Sequence, residues 1–344
     1  METVTLSAGT PEETRDAIKE AVNLLNEGSI VALPTETVYG LAANAFNAEA
    51  CTAIFEAKER PSFDPLIVHV SGKKMLDSIV NIPPDIEETV DILIQEFWPG
   101  ALTLVLPKNN LIPDIVTAGL ETVAVRRSKN PIFSEIIKEL DLPLAAPSAN
   151  IFGSMSPTSA TAVHTELSNR IPLIIDGGAC SDGVESTIIR IESTGRPKPN
   201  IHLLRPGPVT VEMLKKFGKV LRGQDSQSEN ERPNSPGQLA SHYSPRTPLR
   251  IVNCPEGFKA DPSKSYALLS YRGQKKDGYL GVHDWKEIQI LSPGSGKLPE
   301  AAVRFFFALR KLDESGADEI IAEPIPEKGV GLAILDRLQR AALK

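Results

Sequence analysis

A polar stretch from residue 222 to residue 232 constrains the fold of this chain more than any other feature. Its sequence, RGQDSQSENER, contains no aliphatic or aromatic side chain. A segment of this composition buries too little apolar surface to offset the entropy of folding. The 344 residues therefore divide into a first domain at 1–222, a linker at 223–247 and a smaller domain at 248–344.

The second half of this linker differs in kind from the first. Residues 235–245, SPGQLASHYSP, place His242 and Tyr243 between Pro236 and Pro245. A plain spacer needs neither an aromatic ring nor an imidazole. We therefore expect this half of the linker to make a specific contact.

Hydrophobic periodicity predicts a mixed α/β first domain and a smaller α/β second domain. In the first, strands are expected near 29–34, 65–70, 102–106, 122–126, 144–146, 173–176 and 186–191, without a helix between every pair. This spacing favours a twisted, partly antiparallel sheet flanked by helices. After residue 248, alternating strands and helices predict a three-layer, Rossmann-like unit with a mainly parallel sheet.

The composition of the chain argues against several classes of protein. Lys and Arg total 37 against 44 for Asp and Glu, a net charge of −7, which argues against coating nucleic acid by charge alone but leaves room for a local basic groove. The three cysteines are widely separated and form no metal or disulfide pattern. The start of the chain lacks a signal-peptide pattern, and no apolar run nears the ~18 residues that span a bilayer. We therefore expect a cytoplasmic protein.

Several charged residues occupy unusual sequence surroundings. Lys58 and Arg60 precede Pro61, and in an extended segment they would point the same way, which suits a polyphosphate. A solvated basic helix end is the alternative interpretation. His69 and Arg126 lie in apolar strands. A buried arginine needs either a structural carboxylate or an anionic ligand.

The loop at 146–158 is rich in small and hydroxylated residues. Such a loop exposes backbone N–H groups that approach phosphates closely. The chain has no Walker loop, no dinucleotide-binding fingerprint and no Gly-x-Ser-x-Gly elbow. Phosphate binding would therefore use a different kind of loop, and a serine nucleophile is not indicated.

Seven short segments occur along the chain, and their shared order and spacing identify a protein family far more specifically than any one segment does. Together they resemble the YrdC-like family, in particular its long two-domain form, the threonylcarbamoyl-AMP synthases. The linker HYSP at 242–245 and GVGLAILDR at 329–337 resemble the additional part of that form. The seven segments are PTETVYG at 34–40, KER and PLIVH at 58–69, WPGALT at 98–103, VAVR at 123–126, APSAN at 146–150, ESTI at 185–188 and RPG at 205–207.

The resemblance implies a reaction. L-threonine, bicarbonate or CO2, and ATP would give threonylcarbamoyl-adenylate and pyrophosphate, with Mg2+ bridging the phosphates. The product would feed formation of N6-threonylcarbamoyladenosine in tRNA. The expected partners are therefore the small substrates, a downstream threonylcarbamoyl-transferase complex and, through a weak contact, tRNA, with no membrane.

The resemblance also implies roles for individual residues. Lys58 and Arg60 would be catalytic, with Lys58 on a phosphate, and no metal ligand is implied. The threonine site would comprise Thr37, His69, Arg126, Ser148 and Ser186. The ATP site would comprise Arg60, Asp64, Thr122, Ala146 through its backbone, Ser156, Arg205 and Tyr243.

Two of these positions carry particular expectations. Asp64 stands where the family usually has Asn, and an acid facing phosphates repels them unless it binds a metal or turns away. Tyr243 would reach from the linker to ATP, so that the linker acts as a lid that excludes water from the labile carbamate and adenylate.

Two other function classes stay open at this point. One is a tRNA- or double-stranded-RNA-binding module without catalysis of its own, which a local basic groove would serve. The other is a carbamoyltransferase domain of the kind found in hydrogenase-maturation proteins. The chain lacks the zinc-finger cysteines and the acylphosphatase-like segment that would favour this second alternative.

Overall fold

The computed structural model describes residues 2–195, 198–222 and 243–343. These residues form two compact units. The second unit comprises residues 153–156, 182–184 and 243–343, and the first comprises the rest. Residues 223–242, which make up most of the predicted linker, lie outside the described residues. The predicted domain boundaries therefore stay a prediction.

The first unit is built on one large sheet with helices packed against it. Its strands are β1 (Val4–Ser7), β2 (Val31–Leu33), β3 (Gly40–Asn44), β4 (Ile67–His69), β5 (Leu102–Pro107), β6 (Thr122–Arg126), β7 (Leu144–Ala145), β8 (Leu173–Asp176), β9 (Thr187–Glu192), β10 (Asn200–Arg205) and β11 (Lys219–Arg222). Its helices are α1 (Pro11–Asn26), α2 (Ala48–Lys58), α3 (Lys73–Asp77), α4 (Pro84–Phe97), α5 (Asp114–Thr117), α6 (Pro131–Leu140), α7 (Ala160–Leu167) and α8 (Val211–Leu214).

The strand order confirms the mixed sheet. The order is β1-β8-β2-β3-β7-β4-β6-β5-β9-β10-β11. Strands β4 and β6 pair in parallel, as do β5 and β9, whereas β5 and β6 run antiparallel. Of the predicted site residues, His69 lies on β4 and Thr122 and Arg126 lie on β6, while Ser186 directly precedes β9.

Local sequence signals account for the clearest elements. Thr10 caps α1 and forms a capping box with Glu13, and Pro11 occupies the first turn. Strand β3 was not expected, because its sequence GLAAN lacks the β-branched and aromatic residues typical of strands. Pairing with β2 and β7 and complete burial of its first four residues hold it in the sheet.

The second unit contains a four-stranded sheet, and all its pairings are parallel, as predicted. Its elements are β12 (Leu249–Ile251), β13 (Tyr266–Ser270), β14 (Glu287–Ile290), β15 (Glu319–Ala322), α9 (Leu298–Asp313) and α10 (Gly331–Ala341). The strand order is β12-β15-β13-β14. Helix α9 packs on β13 and β14, and α10 packs on β12 and α9. A cluster that includes Tyr266, Leu268, Tyr279 and Trp285 forms a separate small core.

Gly207 gives a test of the first unit's packing. A Cβ at this position would lie 2.4 Å from the Thr187 nitrogen and 2.6 Å from the Glu185 oxygen, both backbone atoms. We expect Gly207→Ala to lower the free energy of unfolding by about 1–3 kcal/mol, the usual cost of overpacking. Urea denaturation measures this loss.

Gly72→Ala is the matched control. Gly72 has an extended backbone, and an added Cβ there meets no atom within 4 Å. Equal stability of the two variants would contradict the close approach at Gly207.

Candidate active site

Sheet register brings four polar side chains into one row. His69 on β4 lies opposite Arg126 on β6, which lies opposite Thr103 on β5. Ser186 immediately precedes β9, and its Oγ lies 2.7 Å from Thr103 Oγ1. Residues paired directly across a sheet share a face. The row therefore crosses four adjacent strands on one face of the sheet.

Arg126 is the centre of this row. Its Nη1 donates to Thr37 Oγ1 at 3.0 Å, and its Nη2 pairs with the Glu36 carboxylate. The Ser128 hydroxyl donates to the other oxygen of Glu36. The partner that a buried arginine requires is therefore a structural carboxylate, from the segment at 34–40. Arg126 Nε has no hydrogen-bond partner among the described residues.

A tight turn presents Glu36 and Thr37 to the sheet. Thr35 Oγ1 accepts the Thr37 N–H at 3.1 Å and the Val38 N–H at 3.2 Å, and it lies 2.9 Å from Thr37 Oγ1. The turn follows β2 and precedes β3, so two paired strands fix both of its ends. The two threonines in PTETVYG thus hold the turn and bind the arginine.

The two titratable groups beside Arg126 respond to it in opposite ways. Burial opposes ionisation of Glu36, but the Arg126 charge and the Ser128 hydroxyl outweigh it and lower its pKa. Burial and then the Arg126 charge hold the pKa of His69 well below its ordinary value. His69 is therefore a neutral imidazole, and its Nδ1 has no partner among the described residues.

Lys58 ends α2 and is almost wholly buried. Its Nζ donates to the carbonyl oxygens of Ser148 at 2.5 Å and Asn150 at 2.6 Å. Burial and then the charge of Arg60 place its pKa well below the ordinary value. Lys58 therefore ties the 146–150 loop to α2, a contact that the expected phosphate role does not include.

Arg60 and Asp64 form a buried ion pair. Arg60 Nη2 lies 2.9 Å from Asp64 Oδ2, and Arg60 also donates to the carbonyl oxygens of Asp64 and Pro65 at 3.1 and 2.8 Å. Glu59 adopts a left-handed backbone with φ 53°, which ends the helix between Lys58 and Arg60. The two cations are thus arranged by a helix terminus and not by the extended segment expected from sequence.

The ion pair explains how this chain accommodates an acid at position 64. The Asp64 side chain faces the Arg60 guanidinium, so its charge is compensated within the protein. The described residues contain no group of three or more His, Cys, Asp or Glu side chains that could hold a metal.

Ser186 and Arg205 are in direct contact. Arg205 Nη2 donates to Ser186 Oγ and Nε donates to the Ser186 carbonyl, both at 3.1 Å. Ser186 also meets Thr103, as described above. A residue predicted for threonine and one predicted for ATP therefore adjoin at the end of the polar row.

Thr122 begins β6, and Ala146 directly follows β7. The Ala146 N–H donates to the Ile67 oxygen at 2.9 Å, which leaves the carbonyl as its backbone atom for a ligand. Thr122 and Arg126 share a face of β6, with Ala124 between them. Ala124 belongs to a small apolar cluster with Ile67, Val105 and Ile188. Ser148 is half-buried and bridges to Gly40.

Ser156 and Tyr243 belong to the second unit and are described within it. Ser156 is fully buried. The ring of Tyr243 is 1% exposed, with its centroid 5.8 Å from that of Phe306 and 5.6 Å from Arg337 Cζ. The Ser244 N–H donates to the Gly153 oxygen at 2.9 Å. The residues at the start of 243–247 are therefore firmly packed.

Sequence reasoning missed four residues of the polar arrangement: Glu36, Thr103, Ser128 and Asn150. Glu36 carries the clearest signal, because an acid inside an otherwise apolar and hydroxylated segment calls for a cation elsewhere in the chain. Asn150 acts through its backbone oxygen on Lys58, which side-chain type does not reveal.

Among the described residues, no helix has both the length and the apolar character that crossing a bilayer requires. The site thus lies in a unit defined by one twisted sheet, with a cationic and hydroxyl-rich face. This arrangement is typical of a protein that binds small anionic substrates.

Comparison with known protein families shows to which family this chain belongs. The family model described as "Telomere recombination", which covers the Sua5, YciO and YrdC proteins, matches residues 23–207. The model described as "Threonylcarbamoyl-AMP synthase, C-terminal domain" matches residues 209–343. The chain belongs to the family of two-domain threonylcarbamoyl-AMP synthases, and the resemblance seen in the sequence is confirmed.

Individual relatives agree over nearly the whole chain. Threonylcarbamoyl-AMP synthase of Bacillus subtilis is 41% identical over 334 residues, covering 94% of this chain and 92% of that protein. The Pyrococcus abyssi enzyme of the same name is 38% identical and covers 94% of each chain. The structure of P. abyssi Sua5 complexed with L-threonine matches with a TM-score of 0.83 at 35% identity, over 99% of this chain and 98% of that one.

The Glu36–Arg126 pair predicts a pH dependence of stability. The Glu36 pKa is about 4.5 in the unfolded chain and lower in the folded protein. Its contribution is therefore present above pH 4.5 and is lost as the pH falls through the folded pKa. We expect Glu36→Gln to lower the free energy of unfolding by about 3 kcal/mol or more at neutral pH, and by less under acidic conditions.

Urea denaturation between neutral and acidic pH measures this difference. Glu56→Gln, an exposed position on α2, is the control and should be nearly neutral. A loss for Glu36→Gln that is constant with pH would contradict the charged pair.

Proposed function

We propose that this protein is a threonylcarbamoyl-AMP synthase that acts as a nucleotidyltransferase. It would combine L-threonine, bicarbonate or CO2, and ATP into threonylcarbamoyl-AMP and pyrophosphate. The observation that carries the proposal is the buried row His69–Arg126–Thr103–Ser186 with Thr37 on Arg126. The family membership and the threonine complex of P. abyssi Sua5 support it.

Arg126 is suited to the threonine carboxylate. Arginine has five N–H donors, and among the described residues Glu36 and Thr37 each accept one from Arg126. The remaining donors would bind a carboxylate in a fixed plane. Glu36 fixes the guanidinium and Thr37 supplies a hydroxyl. Neutral His69, with Ser148 and Ser186, would complete the threonine site.

The chemistry requires two bond-forming steps. The neutral amine of threonine attacks the carbon of CO2 or bicarbonate and forms a carbamate, with loss of a proton and, from bicarbonate, of hydroxide. A carbamate oxygen then attacks the α-phosphorus of ATP, and the bond to pyrophosphate breaks. Positioning and charge neutralisation are the main tasks for the protein.

Basic residues around the row would serve the phosphates. Arg60 and Arg205 are fixed by backbone carbonyls and present guanidinium groups. Lys58, through its two carbonyl contacts, would hold the 146–150 loop in its binding shape. The apolar cluster that contains Ala124, between Arg126 and Thr122 on β6, would receive the adenine ring. Ser156 and Tyr243 stay predicted ATP contacts.

Magnesium would enter as part of the substrate. Two carboxylates beside the proposed phosphate and threonine contacts, Asp64 and Glu36, are both paired with arginine. Because the described residues offer no group of acidic and histidine ligands, a Mg2+ ion would be held chiefly by the ATP phosphates and water. It would neutralise charge on the departing pyrophosphate.

The lability of the product indicates that another enzyme uses it soon after it forms. A carbamoyl-adenylate is a labile mixed anhydride, so we propose rapid transfer to the downstream threonylcarbamoyl-transferase complex that modifies tRNA adenosine in the cytoplasm. The predicted lid at 223–247 would protect the adenylate until transfer. A weak tRNA contact is part of this proposal.

Mass analysis with labelled bicarbonate and labelled threonine tests the function. The expected product carries both labels on AMP, and its formation requires all three substrates. Arg126→Lys should lower kcat/KM for threonine by about 10- to 100-fold, because the planar fork is lost. Arg127→Lys, its neighbour in sequence, is the control. RNA binding without a doubly labelled product would instead favour the non-catalytic RNA-binding module.

The Arg60–Asp64 pair gives a second prediction. Asp64 competes with phosphates for the Arg60 guanidinium, so Asp64→Asn should lower KM for ATP while activity persists. Arg60→Ala should raise KM for ATP and reduce kcat by at least about 10-fold. Initial rates of pyrophosphate release over an ATP titration measure both.

Lys73→Ala removes a partly exposed lysine of α3 that pairs with Asp77, and it controls for loss of a positive charge. An increase in KM for ATP upon Asp64→Asn would show that Asp64 assists ATP binding, contrary to this prediction.

A further inference from the structure

The second unit contains a cavity at the carboxyl-terminal edge of its parallel sheet. The cavity has a volume of about 550 Å3. Its walls follow β12, β13 and β15, the three neighbouring strands of the order β12-β15-β13. In open parallel sheets, ligands bind outside the carboxyl ends of the strands. The polar residues that line it are Asn253, Arg272, Asp277, Tyr279 and Glu323, with the thiol of Cys254 beside them.

Glu323 supplies a buried carboxylate to this cavity. It is 5% exposed and directly follows β15. One oxygen accepts from the Ser270 hydroxyl at 2.7 Å and the other from the Tyr271 N–H at 2.9 Å. Each carboxylate oxygen can accept a further bond. Desolvation raises the pKa of Glu323 because burial disfavours the charged carboxylate. A cationic N–H donor in the cavity would stabilise that charged form.

Arg272 supplies a positively charged guanidinium group, with its N–H donors, to the same cavity. It makes two hydrogen bonds to Asp277, from Nε at 3.2 Å and from Nη2 at 2.7 Å. Three of the five N–H donors of this arginine therefore have no partner among the described residues. Asp277 neutralises the charge of Arg272. Among Arg272, Asp277 and Glu323, the net charge is therefore the negative charge of Glu323. A phosphate ligand would meet two carboxylates, whereas an ammonium group is attracted.

The walls of the cavity are rigid and partly apolar. Tyr279 donates its hydroxyl to the Val252 oxygen at 2.8 Å, and Tyr271 donates to the Gly296 oxygen at 2.5 Å. The segment Pro324, Ile325 and Pro326 forms an apolar wall. The cavity is therefore shaped before a ligand arrives, which limits the entropy lost on binding.

We propose that this cavity binds a free L-α-amino acid, distinct from the threonine site of the first unit. The ammonium group binds Glu323, the α-carboxylate binds the remaining donors of Arg272, and the side chain packs on the proline wall. A purely apolar ligand would leave the buried carboxylate without a further donor. A zwitterion with a small side chain satisfies both charged groups at once.

Alkylation of Cys254 tests the proposal without using enzyme activity. Cys254 is the exposed cysteine, whereas Cys51 and Cys180 are buried. The full-length protein is treated with iodoacetamide in the presence of each L-amino acid in turn, except cysteine, whose own thiol consumes the reagent, and modification is followed by intact mass. We expect at least one amino acid to slow Cys254 alkylation by about tenfold at ten times its Kd. The decarboxylated amine and the N-acetyl form of that amino acid should not protect.

Two variants assign the contacts. Glu323→Gln and Arg272→Gln should each abolish protection, while threonine-dependent pyrophosphate release without added effector continues. Arg250→Gln is the matched control, because Arg250 pairs with Glu319 elsewhere on the same sheet. Circular dichroism checks that each variant is folded.

Absence of protection by every amino acid at roughly 10 mM would overturn the proposal, since this range detects even millimolar Kd values. Protection that survives both substitutions, or equal protection by the decarboxylated amine, would also overturn it. Because the readout is thiol modification, failure here leaves the proposed synthase activity unaffected.

Discussion

The burial of one guanidinium group organises the candidate site. Arg126 lies within a sheet where water cannot solvate it, so its charge must be met by protein or ligand atoms. The Thr35 turn brings Glu36 and Thr37 to it, and Ser128 completes the carboxylate's hydrogen bonds. The same charge lowers the pKa of His69 and keeps that imidazole neutral. One buried cation thus sets the charge states of Glu36 and His69 and, directly or through Glu36, engages the hydroxyls of Thr37 and Ser128.

Strand register extends this organisation across the sheet. A slip of one residue in β6 would turn Arg126 to the opposite face, away from His69 and Thr103. The apolar residues of the same strands fill the core on the other face, where Val68, Val125 and Leu104 are fully buried. Burial of that apolar face therefore determines which residues form the polar row.

The sequence predicted much of this, for identifiable reasons. Strands β6 and β8 have the bounds expected from their apolar runs. Arg126 was recognisable because a charge in such a run requires a partner. Glu36 was not assigned as that partner, because 90 residues separate the two and local patterns carry no information about such pairing. Likewise, the contacts of Lys58 go to backbone oxygens, which exist at every position of a sequence.

The internal ion pairs have a consequence for how substrates arrive. Glu36 and Asp64 each offset one guanidinium, and the chain as a whole carries a net charge of −7. Long-range attraction of ATP is therefore weak, and recognition depends on donors that act only within a few ångströms. Encounter would consequently be limited by diffusion and orientation, with little electrostatic steering, and its rate would change little with ionic strength.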